Sequence, residues 1–260
     1  MLRDEWSVAD QYEPYVGRWS RAVAGELMDW LQLPAGACTL DVGSGTGALA
    51  SAVLASVPGA RVTGIDTSEV YAASAASREP GASFAVAGAL ALPFADRVFD
   101  AALSGLVLNF VPDPGLMLHE MRRVVRPDAT VAAYVWDYAG EMQMTRRFWD
   151  AAISLDADAL ELDEGRRFPI CNPTALVALA AGVGLRDVGW RAVEVATVFA
   201  DFDDYWQPFL GGQGPAPSYA MALSEEQREQ LRDRLHDALE PEPDGSLRMT
   251  ARAWAVRGVR

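Results

Sequence analysis

Thr39–Leu49 reads TLDVGSGTGAL, and the fold follows from how these residues must sit. An apolar approach leads to an acid, Asp41, and then to three glycines at alternate positions, Gly43, Gly45 and Gly47. An alanine-rich run, Ala48–Val57, follows and stops at Pro58-Gly59. Strand, tight glycine turn and helix set a ligand against a helix N-terminus, where unpaired N–H groups and the positive dipole end favour an anionic group. Glycine suits such a turn because it accepts positive φ and leaves no Cβ in a ligand's path. A second strand, Arg61–Ile65, ends at Asp66. An acid at that place accepts hydrogen bonds from both hydroxyls of a ribose. The expectation is a nucleoside-containing cofactor.

Two cofactor classes use this arrangement. A nicotinamide dinucleotide site wants G-x-G-x-x-G/A, which Gly43, Gly45 and Ala48 satisfy. The S-adenosylmethionine (SAM) methyltransferases of Rossmann-like type want an acid before the glycines and the spacing G-x-G-x-G, which Asp41 and Gly47 complete. SAM carries no pyrophosphate. Its amino-acid end holds a cation and a carboxylate and its sulfonium is positive, so a carboxylate beneath the turn suits it and would repel a diphosphate. The competing reading is that Asp41 only braces the turn.

The chain has 260 residues, half of them hydrophobic, enough for one large domain with a substantial core. Its net charge of −14 opposes phosphate backbones and anionic lipid, so neither nucleic acid nor membrane is the expected partner. Arg122, Arg123 and Arg126 form the dense basic cluster, at a helix end where a dipole and solvation role is expected. Cys38 and Cys171 supply neither a disulfide framework nor metal spacing, so no metal is expected, and Cys38 is expected to be buried. The N-terminus lacks the apolar core of a secretory signal, and no apolar run reaches the roughly 18 residues of a membrane helix. A cytoplasmic location is the expectation.

Residues 5–33 read as a helical lid in which Tyr12, Tyr15, Arg18 and Trp19 crowd together, with Arg18 placed to pair with a cofactor carboxylate. Strands are expected at 38–42, 61–65, 83–87, 101–104 and 130–136, alternating with helices, the fourth helix starting at Pro112-Asp113-Pro114. That alternation implies an α/β, doubly wound, Rossmann-like sheet with ligand loops at the strands' C-terminal edge. Beyond it lie a helix at 142–155, an acidic and loose connection at 157–167, a helix at 173–181 and a long strand at 184–198. Ser224 and Gln227 make a capping box, and Leu247, Met249, Ala251, Ala253 and Ala255 alternate like a strand that completes the sheet. The organisation expected is one domain over 1–260: a lid (1–35), a cofactor-binding half (36–136) and a substrate half (137–260) with a helical cap insertion at about 199–245.

TLDVGSGTG, GID, GALALPFADRVFD and LHEMRRVVRPD, in that order over about residues 37–136, resemble the motifs of the class I SAM-dependent methyltransferases, close to the ubiquinone/menaquinone-biosynthesis type. YVGRWSRAVA and PFLGGQGPAP are similar to segments of small bacterial members. The resemblance implies a seven-stranded, mostly parallel sheet with an antiparallel last strand, and SAM as cofactor. It implies that Asp41, Gly43, Ser44, Gly45 and Gly47 surround the methionine part; Tyr15 and Arg18 of the lid are further candidates for holding the cofactor. Asp66 would hold the ribose with Thr67 beside the adenine, Ala89 and Leu90 would flank the adenine, and Ser104 and Leu106 would line the methionine end. Two departures stand out: Gly88 replaces an acid that reaches the adenine amino group, and Pro127-Asp128-Ala129 replaces a Pro-Gly-Gly turn.

Methyl transfer from a sulfonium needs in-line positioning more than acid–base help. His119 and His236 are expected on packing or solvated faces. Asp137 at the exit of strand five is the candidate base, with a turn cap as the competing role, and Asn109 after strand four is expected to face the transferring methyl. Trp19, Trp136, Tyr138, Trp149, Trp206, Phe209 and Gln213 are the candidate acceptor wall for a small, partly apolar molecule, against ordinary core packing. An NAD-dependent oxidoreductase and a non-catalytic SAM-fold binding protein are the alternatives.

Overall fold

The computed structural model describes residues 13–260 apart from Gln213. The expectations for Tyr12 and Gln213 therefore lie outside the described residues. In chain order, a wide helical turn (Glu13–Gly17) enters α1 (Arg18–Leu31), followed by β1 (Cys38–Val42), α2 (Ala48–Ser56), β2 (Arg61–Asp66), α3 (Glu69–Arg78) and β3 (Ala82–Val86). Then come β4 (Phe99–Gly105), α4 (Pro114–Val124), β5 (Val125–Trp136), α5 (Gln143–Leu155), α6 (Glu164–Arg167) and α7 (Pro173–Gly182). The chain continues through β6 (Arg186–Phe199), α8 (Phe202–Trp206), α9 (Pro215–Ala222), α10 (Glu225–Ala238) and β7 (Leu247–Val259).

The seven strands form one sheet in the order β3-β2-β1-β4-β5-β7-β6. β1 pairs parallel with β2 and β4, and β4 parallel with β5, whereas β7 runs antiparallel to β5. Central strands are apolar without alternation because both faces are covered; Leu40, Val42, Ile65 and Ala101–Leu103 are fully buried. Helix starts follow local chemistry. Ser68 accepts from the Tyr71 N–H, Asp113 from Leu116 ahead of Pro114, Asn172 from Ala175, and Ser224 with Gln227 closes a reciprocal capping box.

By contacts the chain divides into two compact units. The sheet unit comprises Ser20–Trp136, Ile170–Val193 and Ala253–Arg260; the helical unit comprises Asp137–Pro169 and Glu194–Arg252 with the described residues up to Trp19. The helical unit has an aromatic core. Phe148 stacks on Phe209 at 4.5 Å between ring centroids, and Tyr205 meets both Phe199 (5.3 Å) and Phe209 (5.4 Å) edge-on.

Four expectations are corrected. The fifth strand begins at Val125, not Thr130: Val125 pairs with Phe99 and Thr130 with Ala101, so the intervening residues form a bulge inside the strand. Asp128 supplies the bulge's left-handed residue at φ 63°, where glycine would cost less. The stretch 157–167 is not loose. Asp163 and Glu164 are buried, Asp163 paired with Arg146 at 2.7 Å and Glu164 accepting from the Trp149 indole N–H. Cys38 is half-buried. Arg123 does more than compensate a helix dipole. It binds Glu120 (2.7 Å), Asp96 (2.8 Å) and the carbonyls of Phe94 (2.9 Å) and Leu92 (3.0 Å), while Glu120 also accepts from the Leu92 N–H. One planar fork thus ties the loop before β4 to α4. Arg123→Met is expected to lower unfolding stability by about 2 kcal/mol through the freed carbonyls and carboxylates, and Arg123→Lys to recover only part of it, as measured by denaturant midpoints.

Candidate functional site

The glycine turn between β1 and α2 shapes itself. The Gly43 and Ser44 N–H groups both donate to the Ile65 carbonyl at 2.8 Å, and the Gly47 N–H to the Ser44 carbonyl at 2.9 Å. Gly43, Gly45 and Gly47 all have positive φ (76°, 52° and 89°), so the conformation itself requires them. Their surroundings differ. A Cβ on Gly43 would meet Val107 at 2.4 Å, whereas one on Gly45 would meet nothing within 4 Å. Close packing therefore adds to the demand at Gly43, and Gly45 faces open space.

Beneath the turn lies Asp41, 1% exposed, in register with Gly64 of β2 and Leu103 of β4. Among the described residues neither carboxylate oxygen has a hydrogen-bond partner in ordinary geometry, and the buried Ser44 hydroxyl has none either. Burial pushes the Asp41 carboxyl from its usual 3.8 up to about 7; the Ala50 N–H opposes the shift and the Asp66 charge adds to it. A buried carboxylate without donors is destabilising until a cation with N–H groups meets it. An α-ammonium fits that need, and a diphosphate does not.

Asp66, at the tip of β2, turns its carboxylate into the same region. One oxygen accepts from the Gly45 N–H at 3.0 Å and the other from Ser68 at 2.9 Å. Each oxygen retains a lone pair for a diol. Thr67 is exposed, Ala89 and Leu90 are half-buried, and a Cβ on Gly88 would find open space. Ser104 is buried with its hydroxyl donating to the Val42 carbonyl at 2.8 Å, so its side chain braces β4 on β1 and leaves only backbone for a ligand. Leu106 takes φ 63°, an unusual conformation for a bulky residue, and its N–H donates to the Tyr134 carbonyl. Three residues on, both polar atoms of the Asn109 amide are buried and have no partner among the described residues. Sequence order alone had singled out Asn109; only packing shows that its amide is unsatisfied.

The remaining candidates lie in the helical unit, save Trp136, which is buried at the end of β5. Asp137 has the geometry of its competing role. It accepts from the Glu141 N–H at 3.0 Å, pairs with Arg252 at 3.4 Å, and its carbonyl receives the Gly140 and Met142 N–H groups. These are the contacts of a turn cap, and on the side chain they engage Oδ2. Trp149, Trp206 and Phe209 are at most 3% exposed and form the unit's core, and Tyr138 is buried against Phe168. They are packing residues in this unit, the ordinary alternative to an acceptor wall. Tyr15, Arg18 and Trp19 do come together, on the turn leading into α1 and its first residues. Arg18 pairs with Asp204 at 3.3 Å. His119 and His236 are exposed.

The sheet order and the glycine turn between β1 and α2 define a Rossmann-like protein of methyltransferase topology. A methyltransferase-domain pattern matches residues 40–133. The chain is 38% identical over 168 residues to a demethylmenaquinone methyltransferase of Roseiflexus sp., covering 59% of this chain and 70% of that one. It is 35% identical over 185 residues to the 2-methyl-6-phytyl-1,4-hydroquinone methyltransferase of Synechocystis sp., covering 70% and 57%. The structure of Haemonchus contortus phosphoethanolamine N-methyltransferase 2, in complex with phosphomonomethylethanolamine and S-adenosylhomocysteine, shares the fold at TM-score 0.60 and 16% identity, covering 97% and 56%. The chain belongs to the class I SAM-dependent methyltransferases. It spans about half the length of the first relatives it matches. Among the described residues no helix is long and apolar enough to cross a membrane.

The Asp41 environment has a definite pH signature. Its carboxyl is raised in the folded chain, so the stability it contributes is full below about pH 4 and is lost as pH rises towards 7. At about 1.4 kcal/mol per tenfold change in proton affinity, the loss is about 4 kcal/mol. Asp41→Asn is expected to raise the melting temperature of the ligand-free protein at pH 8 far more than at pH 4.5, while weakening SAM binding. A scan showing equal effects at both pH values would refute the buried-charge account.

Proposed function

We propose that the protein is a SAM-dependent methyltransferase acting in line on a nucleophilic atom of a small, partly apolar molecule. The observation that carries this reading is the buried, unpartnered Asp41 carboxylate under the glycine turn, with Asp66 beside it. Asp41 would take the amino group of the cofactor, Asp66 its ribose diol, and the positive-φ turn would leave room at Gly45. Bound there, SAM supplies an electrophilic methyl group on a sulfonium. The chain's own task is to hold the acceptor in line and exclude water, worth about 7 to 11 kcal/mol in well-oriented systems. Asn109, with an unsatisfied amide after β4, is the polar group we assign to orienting the acceptor. A general base is required only where the acceptor must lose a proton. Relatives named for demethylmenaquinone and for a phytylated hydroquinone favour a ring-bearing acceptor.

Calorimetry with SAM, S-adenosylhomocysteine and NAD tests the reading. Binding of both sulfur ligands is expected; binding of NAD alone would move the protein to the oxidoreductases. Mass spectrometry of small-molecule extracts incubated with SAM is expected to reveal +14 Da products, and binding without any such product would mark a non-catalytic ligand carrier. Asp66→Ala is expected to weaken SAM by about 1 to 3 kcal/mol through lost charge-assisted hydrogen bonds, with unchanged affinity in a folded variant arguing against the ribose role.

A further inference from the structure

The end of the sheet opposite the glycine turn gathers positive charge. β4 and β5 start there, and β7 ends there because it runs antiparallel to β5. Arg97 leads into β4, Arg122 and Arg123 lie in the last turn of α4, and Arg260 follows β7, all within the sheet unit. One carbonyl draws them together. The Arg123 main-chain oxygen accepts from the Arg97 N–H at 3.2 Å and from Arg260 Nη1, which also donates to the Val125 carbonyl at 2.6 Å. Arg97 is exposed and takes φ 61°, a left-handed conformation in which glycine would cost less. The Arg122 guanidinium lies against Gly184, just after α7, where a Cβ would meet it at 3.6 Å.

The acids of this edge are already committed. Asp96 and Glu120 bind Arg123, Asp128 binds Arg186 at 2.5 Å, and Asp100 binds Arg126. The Arg260 main-chain oxygen is taken by Arg186 Nη2 at 2.7 Å. Among the described residues no ion pair reaches Arg97 or Arg122, and Arg122 Nε is shielded from solvent without a hydrogen-bond partner. Burial first, then repulsion from Arg97, Arg122 and Arg123, holds the Arg260 guanidinium below its usual range, with Asp96 opposing. Capping of the last α4 carbonyls accounts for Arg260, and the carboxylates and loop carbonyls account for Arg123. Neither accounts for Arg97 and Arg122, two further cations beside them without a counter-charge. Guanidinium groups converging around committed carboxylates suit a multivalent oxyanion, because each planar fork presents paired N–H groups to oxygen.

We propose that Arg97, Arg122 and Arg260 form a site for a phosphate-type dianion, free or as the monoester of a small molecule, at the sheet edge away from the glycine turn. The dianion supplies the counter-charge that the local acids do not, and Arg122 Nε gains its missing acceptor. The net charge of −14 repels anions at long range, so binding rests on these short contacts and weakens with salt. The site stands independently of the methyltransferase reading.

Thermal shift and calorimetry of the full chain with sodium phosphate, against sodium chloride at matched ionic strength, test it. Phosphate is expected to bind and to raise the melting temperature above the chloride control, with S-adenosylhomocysteine affinity changed less than twofold. Arg122→Gln and Arg97→Gln, each checked for folding by its melting curve, are expected to weaken phosphate about tenfold and a few-fold respectively. Should Arg122→Gln fail to fold, Arg97→Gln at its exposed position decides. Equal shifts in phosphate and chloride would overturn the site, as would a phosphate affinity indifferent to the variants. Competition between phosphate and S-adenosylhomocysteine would overturn it too, since the anion would then sit at the glycine turn. Glycerol 3-phosphate distinguishes the sources: binding at least as tight as inorganic phosphate supports the site as one for a phosphorylated small molecule, and tenfold weaker binding supports it as one for the free ion.

Discussion

A carboxylate held out of water is the constraint on which the rest of this structure depends. Asp41 sits in a central strand whose neighbours Leu40 and Val42 are fully buried, and among the described residues nothing donates a hydrogen bond to it in ordinary geometry. The sheet tolerates it because the surrounding backbone is satisfied without it. The turn above bonds to Ile65 and to itself, and Ser104 closes on Val42. A rigid frame thus holds an unsatisfied charge, and an unsatisfied charge in a rigid frame discriminates by sign. In the proposed function that sign favours the ammonium of a nucleoside cofactor over a diphosphate.

The two units show two ways of treating buried polarity. In the sheet unit the unpartnered buried groups include Asp41, Ser44 and Asn109 near strand exits, and also Thr39 within β1 and Arg122 Nε on α4. In the helical unit an aromatic core is stitched by paired polar groups, and the exceptions gather where the chain enters α1. Native interiors leave few polar atoms unpaired, so clusters of exceptions are informative when the surroundings are otherwise complete. Strain points the same way: Leu106 adopts a left-handed backbone at the exit of β4, held there by its bond to Tyr134.

Periodicity and turn chemistry made the sheet, its strand-by-strand alternation with helices and the ligand turn legible before any coordinates. Local rules suffice where the deciding interactions are local: glycines at positive φ, a capping Ser68, a helix-opening Pro114. They misjudged Val125–Ala129, because a bulge is decided by the partner strand's register and not by the bulged residues. They also misjudged 157–167, where an acidic composition suggested a solvated link. Asp163 and Glu164 are instead buried against Arg146 and Trp149, partners that sequence distance conceals.

The amino-acid sequence by itself determined the fold class, the place of the glycine turn and the acids beside it at Asp41 and Asp66, because each depends on backbone conformation within a few residues. Tertiary structure alone decided which polar side chains are satisfied. It gave Asp137 the contacts of a turn cap, buried Trp149, Trp206 and Phe209, and left polar atoms of Asn109, Tyr15 and Arg18 without partners among the described residues. The physical reason is that hydrogen-bond satisfaction belongs to neighbours in space, and spacing along the chain carries no record of them.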